Sequence, residues 1–227
     1  MKKIMFNDKY GLTDAVLQGR KTMTRRIIKQ EVDSARSYNP KLFPEGYDSM
    51  AFYHDGGELW RLMDADGHCI KPAYKFGEAV VVAQSYKDLG YTKEWVEQHI
   101  SSNPNANWND PFEKKYPGWS NKMFVPAELN KAHQIRITDI KAERLQDISD
   151  DDVHREGFSK NFINNGWGNA AFHEESVLVY YDKLGLTKTI RSIYPKEAFA
   201  ALIDKVSGKD TWNSNPYVFA YTFELVK

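Results

Sequence analysis

Residues 19 to 28 read "GRKTMTRRII": a glycine, then four basic side chains and two threonines within seven positions, with no acid among them. The residues before it, "NDKYGLTDAVLQ" at 7 to 18, have the marks of a helix. Asn7 can accept from its first amides, Asp8 suits its positive end, and Leu12, Ala15 and Val16 make an apolar stripe. Gly19 is placed to end that helix in a left-handed turn. Beyond it the pattern becomes an alternation. Thr22, Thr24 and Arg26 fall on one face of a strand, and Met23, Arg25 and Ile27 on the other. Two adjacent arginines therefore point in opposite directions and are expected to serve different ends. A basic run is in most proteins a solvated surface. This one differs by its position after a helix end, where loop amides and side chains can converge on one ligand.

The rest of the composition narrows the possibilities. The 227 residues carry 31 Lys+Arg and 31 Asp+Glu, so any contact with nucleic acid has to come from a local patch and not from the overall field. The single cysteine, Cys69, excludes an internal disulfide and any multi-cysteine metal site. No C-x-x-C or H-E-x-x-H is present. "DADG" at 64 to 67 opens like a calcium loop, but its twelfth position is Lys75 and not Glu. No metal is expected. Without G-x-x-x-x-G-K-[ST], or G-x-G-x-x-G after a strand, neither ATP nor NAD chemistry is expected, and no cofactor is called for. "MKKIMFNDKYG" lacks the apolar stretch of a secretory signal, and no run is long enough to span a bilayer. The expectation is a cytoplasmic protein with no membrane partner.

Along the chain, "KIMF" reads as a short strand, and residues 30 to 50 as a polar excursion. "MAFYHDGGELWRLMDADGHCIK" reads as hairpin-like, with turns at "DGG" and "DADG". "FGEAVVVAQSY" is a strand with an unbroken apolar run, and "TKEWVEQHI" a helix. "NPNANWNDPFEKKYPGWSN" is an aromatic loop or lid. "AHQIRITDIKAERLQ" is a strand with Ile135 and Ile137 on one side. "ISDDDVHREGF" is a short helix, with Ser149 and Asp152 spaced as a capping box. Residues 159 to 193 are ambiguous, with one helix expected around "HEESVLVYYDKLG". "PKEAFAALIDKVS" is a helix opened by Pro195 and closed by Gly208, and "PYVFAYTFELV" is a closing strand. Helices fall too irregularly for repeated βαβ units, so an α+β fold is expected: a mixed β-barrel with helices at its ends.

Four of these pieces, in chain order, resemble the ASCH-domain family, a branch of the PUA-like superfamily. "GRKTMTRRII" is similar to the signature in which a helix ends in Gly and [RK]-K-T-x-T-x-R follows. "GEAVVV" resembles the family's strand after a G-[DE] turn. "ITDIKAERLQDISDDDVHREGF" resembles its strand and short helix ending in Glu-Gly. "AFAALIDKVSGKDTWNSNPYVFAYTFELV" resembles the ending of the longer bacterial and phage members. In "VVAQSY", Ala83 and Gln84 stand where longer relatives carry an Arg-Glu pair, so any role of that pair does not carry over.

The resemblance implies one PUA-like (ASCH) mixed β-barrel domain over residues 1 to 227. Its inserted segments would lie at about 30–75, 91–130 and 159–193. It implies a cleft that recognises RNA or a modified nucleoside. Some small members hydrolyse the acetyl amide of N4-acetylcytidine with a Lys, a Thr and a Glu, which fall here on Lys21, Thr24 and Glu156. Arg20, Thr22, Arg25 and Arg26 complete the candidate ligand-binding set.

Amide hydrolysis needs a nucleophile, a base and stabilisation of the oxyanion. Thr24 can attack if Lys21 is neutral, which requires lowering a group that ordinarily titrates near about 10.4 through burial or neighbouring cations. A glutamate beside Lys21 acts the other way, so Glu156 is expected to orient substrate, shuttle a proton or position water. The plain alternatives are a charged anchor at Lys21, a strand hydroxyl at Thr24 and an ordinary helix residue at Glu156. At the level of the whole protein, the rival readings are a non-catalytic RNA- or nucleotide-binding module and a protein-interaction domain using the inserted segments. Trp108, Trp119 and Trp167 would stack bases in the first of these, or pack in the core.

Overall fold

The computed structural model of the chain describes residues 1–38, 52–54, 58–100, 119–123, 125–131, 133–164, 172–181 and 186–226. Over these the fold is mixed α+β. The strands are β1 (Lys3–Ile4), β2 (Met23–Ile27), β3 (Ser34–Tyr38), β4 (Phe52–His54), β5 (Glu58–Met63), β6 (Ala79–Val82), β7 (Gln134–Arg144), β8 (Ser159–Asn164), β9 (Phe172–Tyr181), β10 (Thr187–Ser192) and β11 (Tyr217–Val226). The helices are α1 (Leu12–Leu17), α2 (Lys93–Ile100), α3 (Asp150–Arg155), α4 (Pro195–Ser207) and α5 (Thr211–Ser214). The chain divides into two compact units. One comprises Met1–Phe6, Ala79–Arg136 and Leu225–Lys227; the other comprises Asn7–Glu78 and Ile137–Glu224.

In the first unit β1 runs parallel to β6, and β6 pairs antiparallel with the start of β7, Val80 opposite Ile135. Ile4, Val80, Val81, Val82 and Ile135 are all fully buried. An apolar run without alternation is what a strand covered on both faces requires. Tyr86, Val96 and Val125 form a second cluster, against which Trp95 and Trp119 pack. Trp119 Nε1 donates to the Tyr91 carbonyl at 3.4 Å, and the Lys93 ammonium lies 4.8 Å from its ring centre. This tryptophan is packed. Trp108 and Trp167 lie outside the described residues.

The second unit carries β2 antiparallel to β11, with Thr24 opposite Tyr221, Arg25 opposite Ala220 and Arg26 opposite Phe219. β11 also neighbours β7, and β3-β5-β4 and β10-β9-β8 form separate sheets. The β4-β5 pairing and the Met63–Cys69 bridge agree with the hairpin reading of residues 50 to 71 where residues are described; its "DGG" turn at 55 to 57 lies outside the described residues. Between Met63 and Cys69, the Asp64 carboxylate accepts from the amides of Asp66 and His68, and Gly67 turns at φ +78°. α4 has the expected bounds, with Pro195 in its first turn and Ala198, Phe199, Leu202 and Ile203 buried. Among the described residues none of the sheets closes into a barrel. No helix there is long and apolar enough to cross a membrane.

Two elements differ from the sequence reading. The single helix expected over 7 to 19 is interrupted. Asn7 caps a 3-10 turn over Asp8–Tyr10, and Gly11 at φ +64° separates it from α1. A residue in that conformation cannot continue a right-handed helix. Gly19, at φ +72°, ends the element as expected. The helix expected around "HEESVLVYYDKLG" is instead β9, the middle strand of a meander, with residues 182 to 185 outside the described set. Val177, Val179 and Tyr180 favour a strand. Pairing on both edges, Val177 lying between Ser159 and Arg191, supplies the backbone partners that a lone segment lacks.

Candidate functional site

Lys21 and Glu156 lie 135 positions apart in sequence and are in contact. Lys21 Nζ donates to Glu156 Oε2 at 2.5 Å and to the Glu156 carbonyl at 2.8 Å. Local geometry on both sides makes this possible. The Lys21 amide closes the end of α1 on the Ala15 carbonyl at 2.9 Å, so the side chain leaves at the foot of β2. Glu156 follows the last residue of α3 as its C-cap, where Gly157 turns the chain at φ +112°. A β-carbon at Gly157 would sit 3.6 Å from Lys21 Cβ and 3.7 Å from Ala15 Cβ, so the two backbones meet closely. The Thr22 amide ties the elements together by donating to the Arg155 carbonyl at 2.9 Å.

The pair is one corner of a larger buried cluster. Arg25, with its side chain 1% exposed, reaches three carboxylates. Its Nε and one terminal nitrogen lie 2.9 and 2.8 Å from Glu143 Oε1, and that same terminal nitrogen lies 2.9 Å from Asp152 Oδ2. Its other terminal nitrogen lies 3.2 Å from Glu156 Oε1. The Phe199 ring covers the guanidinium at 5.9 Å. Arg155 joins from outside, 3.3 Å from Asp152 Oδ1 and 3.2 Å from Thr222 Oγ1. Three cations thus meet three carboxylates, and the local charge balances as the overall charge does. Such clusters tolerate burial only when each member is paired.

Burial dominates the titration of Lys21 and holds its ammonium below the ordinary lysine range. Glu156 pulls it back up, and Arg26 and Arg25 lower it further. For Arg25, burial opposes the charge, but Glu156, Glu143 and Asp152 together outweigh it and raise the group above its ordinary value.

The other face of β2 is different. Thr24 is 5% exposed, and alternation points it away from Arg25. Among the described residues no hydrogen bond joins its hydroxyl to Lys21 or Glu156. Its cross-strand neighbour Tyr221 accepts from the Ala73 amide at 2.9 Å and meets the Tyr74 ring edge-on at 5.3 Å. Burial raises both phenols, Tyr221 to about 12, and the positive charge of Arg26 acts on both in the opposite sense. Two residues beyond Tyr74, Phe76 is 68% exposed.

The candidate residues are therefore not gathered in one place. Lys21, Glu156 and Arg25 share the ionic cluster. Thr24 and Arg26 belong to the tyrosine-lined face. The main chain of Thr22 is engaged on both sides, its carbonyl accepting from the Phe223 amide. Arg20 is exposed, its Nε bonds Gln18, and it lines a separate cavity of about 450 Å³ with Tyr10, Asp14, Gly157 and Tyr180. Gln84 is buried in the first unit, and its backbone amide donates to Asn130 Oδ1.

Glu143 and Asp152 belong to the site; Glu143 was not singled out from the sequence, and Asp152 was read only as the capping partner of Ser149. Asp152 is the third residue after Ser149, and its amide does donate to Ser149 Oγ at 3.1 Å. Capping accounts for that amide and leaves the carboxylate, which goes to the arginines. Glu143 could not be reached by counting along β7, because the alternation set by Ile135 and Ile137 slips at the buried Ile140.

No family model, curated protein or solved structure matches this chain.

Proposed function

We propose that the chain is an ASCH-type, PUA-like domain that recognises a modified cytidine nucleoside and hydrolyses its N4-acyl amide. One observation carries this reading: two buried, oppositely charged side chains, Lys21 and Glu156, meet at 2.5 Å between the end of one helix and the start of β2. Their sequence contexts are the two that the family resemblance makes catalytic.

In this reading the proton shared by the pair passes to Glu156 when substrate enters, so that Lys21, lowered by burial, can accept a proton from the attacking water. The protonated Glu156 then gives its proton to N4 as the C–N bond breaks, which leaves the ion pair as it began. Water supplies the oxygen, and acetate and cytidine leave. Thr24 and Arg26 act from the other face of β2, where the guanidinium binds the polar base, Tyr74 offers aromatic surface, and the buried Thr24 and Tyr221 back that face. Lys21 is 2% exposed, so the arrangement has to open for substrate to reach Nζ.

The test is incubation of the pure protein with N4-acetylcytidine and chromatographic detection of cytidine. Wild type is expected to release it, and Lys21→Ala and Glu156→Ala to lose at least about a hundredfold in rate, the usual contribution of a general base. Absence of product from the folded wild type would remove the reading.

A further inference from the structure

We propose that Arg25 is a positioning residue: gripped by Glu143 and Asp152, it holds Glu156 Oε1 and so decides how firmly Glu156 Oε2 retains the proton on Lys21. The inference rests on reading Lys21 and Glu156 as the functional pair. It assigns Arg25 away from the ligand. All three guanidinium nitrogens face carboxylates at 2.8 to 3.2 Å, and the side chain is 1% exposed, so none is left to meet a substrate.

The geometry makes Glu156 a shared anion. One of its oxygens serves a permanently charged arginine, and the other serves an amine that can lose its proton. Charge donated to Arg25 is charge withheld from Lys21. How much Arg25 takes depends in turn on its other partners, because Glu143 and Asp152 compete with Glu156 for the same cation. The groups acting on Lys21 are therefore Glu156 at the end of α3, Arg25 and Arg26 from β2, and, through Arg25, Glu143 of β7 and Asp152 of α3. Arg155 of α3 moderates Asp152. α1 meets Lys21 through the Ala15 carbonyl, which accepts its amide. Tyr74 and Tyr221 lie with Arg26 on the opposite face.

The arrangement predicts opposed effects from two neighbouring substitutions. Arg25→Gln leaves Glu156 to Lys21 alone, so Lys21 holds its proton more tightly. Glu143→Gln releases Arg25 towards Glu156, so Lys21 lets go more easily. A side chain that merely braced the fold would lower stability in both variants without moving the lysine in opposite directions.

The readout is the 13Cε signal of Lys21 in full-length protein labelled at lysine, assigned by its loss in Lys21→Arg and followed against pH. The Lys21 midpoint is expected to be higher in Arg25→Gln and lower in Glu143→Gln than in wild type. The two variants should differ by about tenfold or more in proton affinity, the scale of a charge placed within a few ångströms. If Arg25→Gln does not fold, Glu143→Gln decides alone. An unchanged or raised midpoint in that variant overturns the proposal. The measurement needs no turnover. Opposed shifts in a protein that leaves N4-acetylcytidine intact would keep the Arg25 assignment and remove the hydrolase reading. Turnover with unmoved midpoints would do the reverse.

Discussion

Lys21 is buried, and it has a carboxylate partner; the two circumstances pull its proton in opposite directions. Burial prevails, and its folded titration lies below the ordinary 10.5. Between that lowered value and 10.5 the unfolded chain holds more protons than the folded one, so this residue makes stability rise with pH across the window. Lys21→Met removes the rise, and urea midpoints measured from pH 8 to 10.5 should show the wild-type slope flattened in the variant. At neutral pH the same variant leaves Glu156 with Arg25 alone. The expected cost is about 3 kcal/mol, the lower end for breaking a buried pair, because one cation remains. Gly157 is the second residue to test. A β-carbon there finds ordinary contacts at 3.6 to 3.7 Å, so the penalty of Gly157→Ala comes from its φ of +112°. A loss of about 1 to 3 kcal/mol in chemical denaturation is expected, as for other strained backbone positions.

Among the elements, β2 sorts the candidate residues. Its alternation was readable from "TMTRRII", and with it the divergence of Arg25 and Arg26. What each face meets was not readable, since Glu143, Asp152 and Tyr221 lie more than a hundred positions away. Elements whose signals are local were legible. α4 shows its proline start, its glycine stop and its apolar stripe in one window. β9 was not legible, because its strand character depends on β8 and β10 on either side of it. α3 combines both cases. Ser149 is a local cap, and Ser149→Ala should cost about 1 kcal/mol in urea denaturation. The Asp152 carboxylate is a distant partner of Arg25, so Asp152→Ala should cost clearly more, about 3 kcal/mol, by leaving the arginine short of one anion.

Over the whole molecule, a neutral chain keeps a balanced knot of charge inside one unit and a tyrosine-lined strand face beside it. Two phenols, Tyr86 in one unit and Tyr221 in the other, are raised to about 12 by burial. Their folded values exceed the ordinary 10, so the stability they contribute is complete below pH 10 and is lost as pH climbs towards 12. Alkaline urea titrations should show this fall, and Tyr221→Phe should lessen it. The functional claim, as proposed above, is narrower: the Thr24 and Arg26 face of β2 holds the base, the acyl amide reaches Lys21 once the ionic cluster opens, and Arg25 stays with its carboxylates. It is tested most directly by following backbone amide signals of the labelled protein while N4-acetylcytidine is added. Saturable shifts at residues 22 to 26 and at Ala73 and Tyr74 are predicted. No saturable shift, or shifts confined to the cavity around Tyr10, Asp14 and Tyr180, would contradict the account.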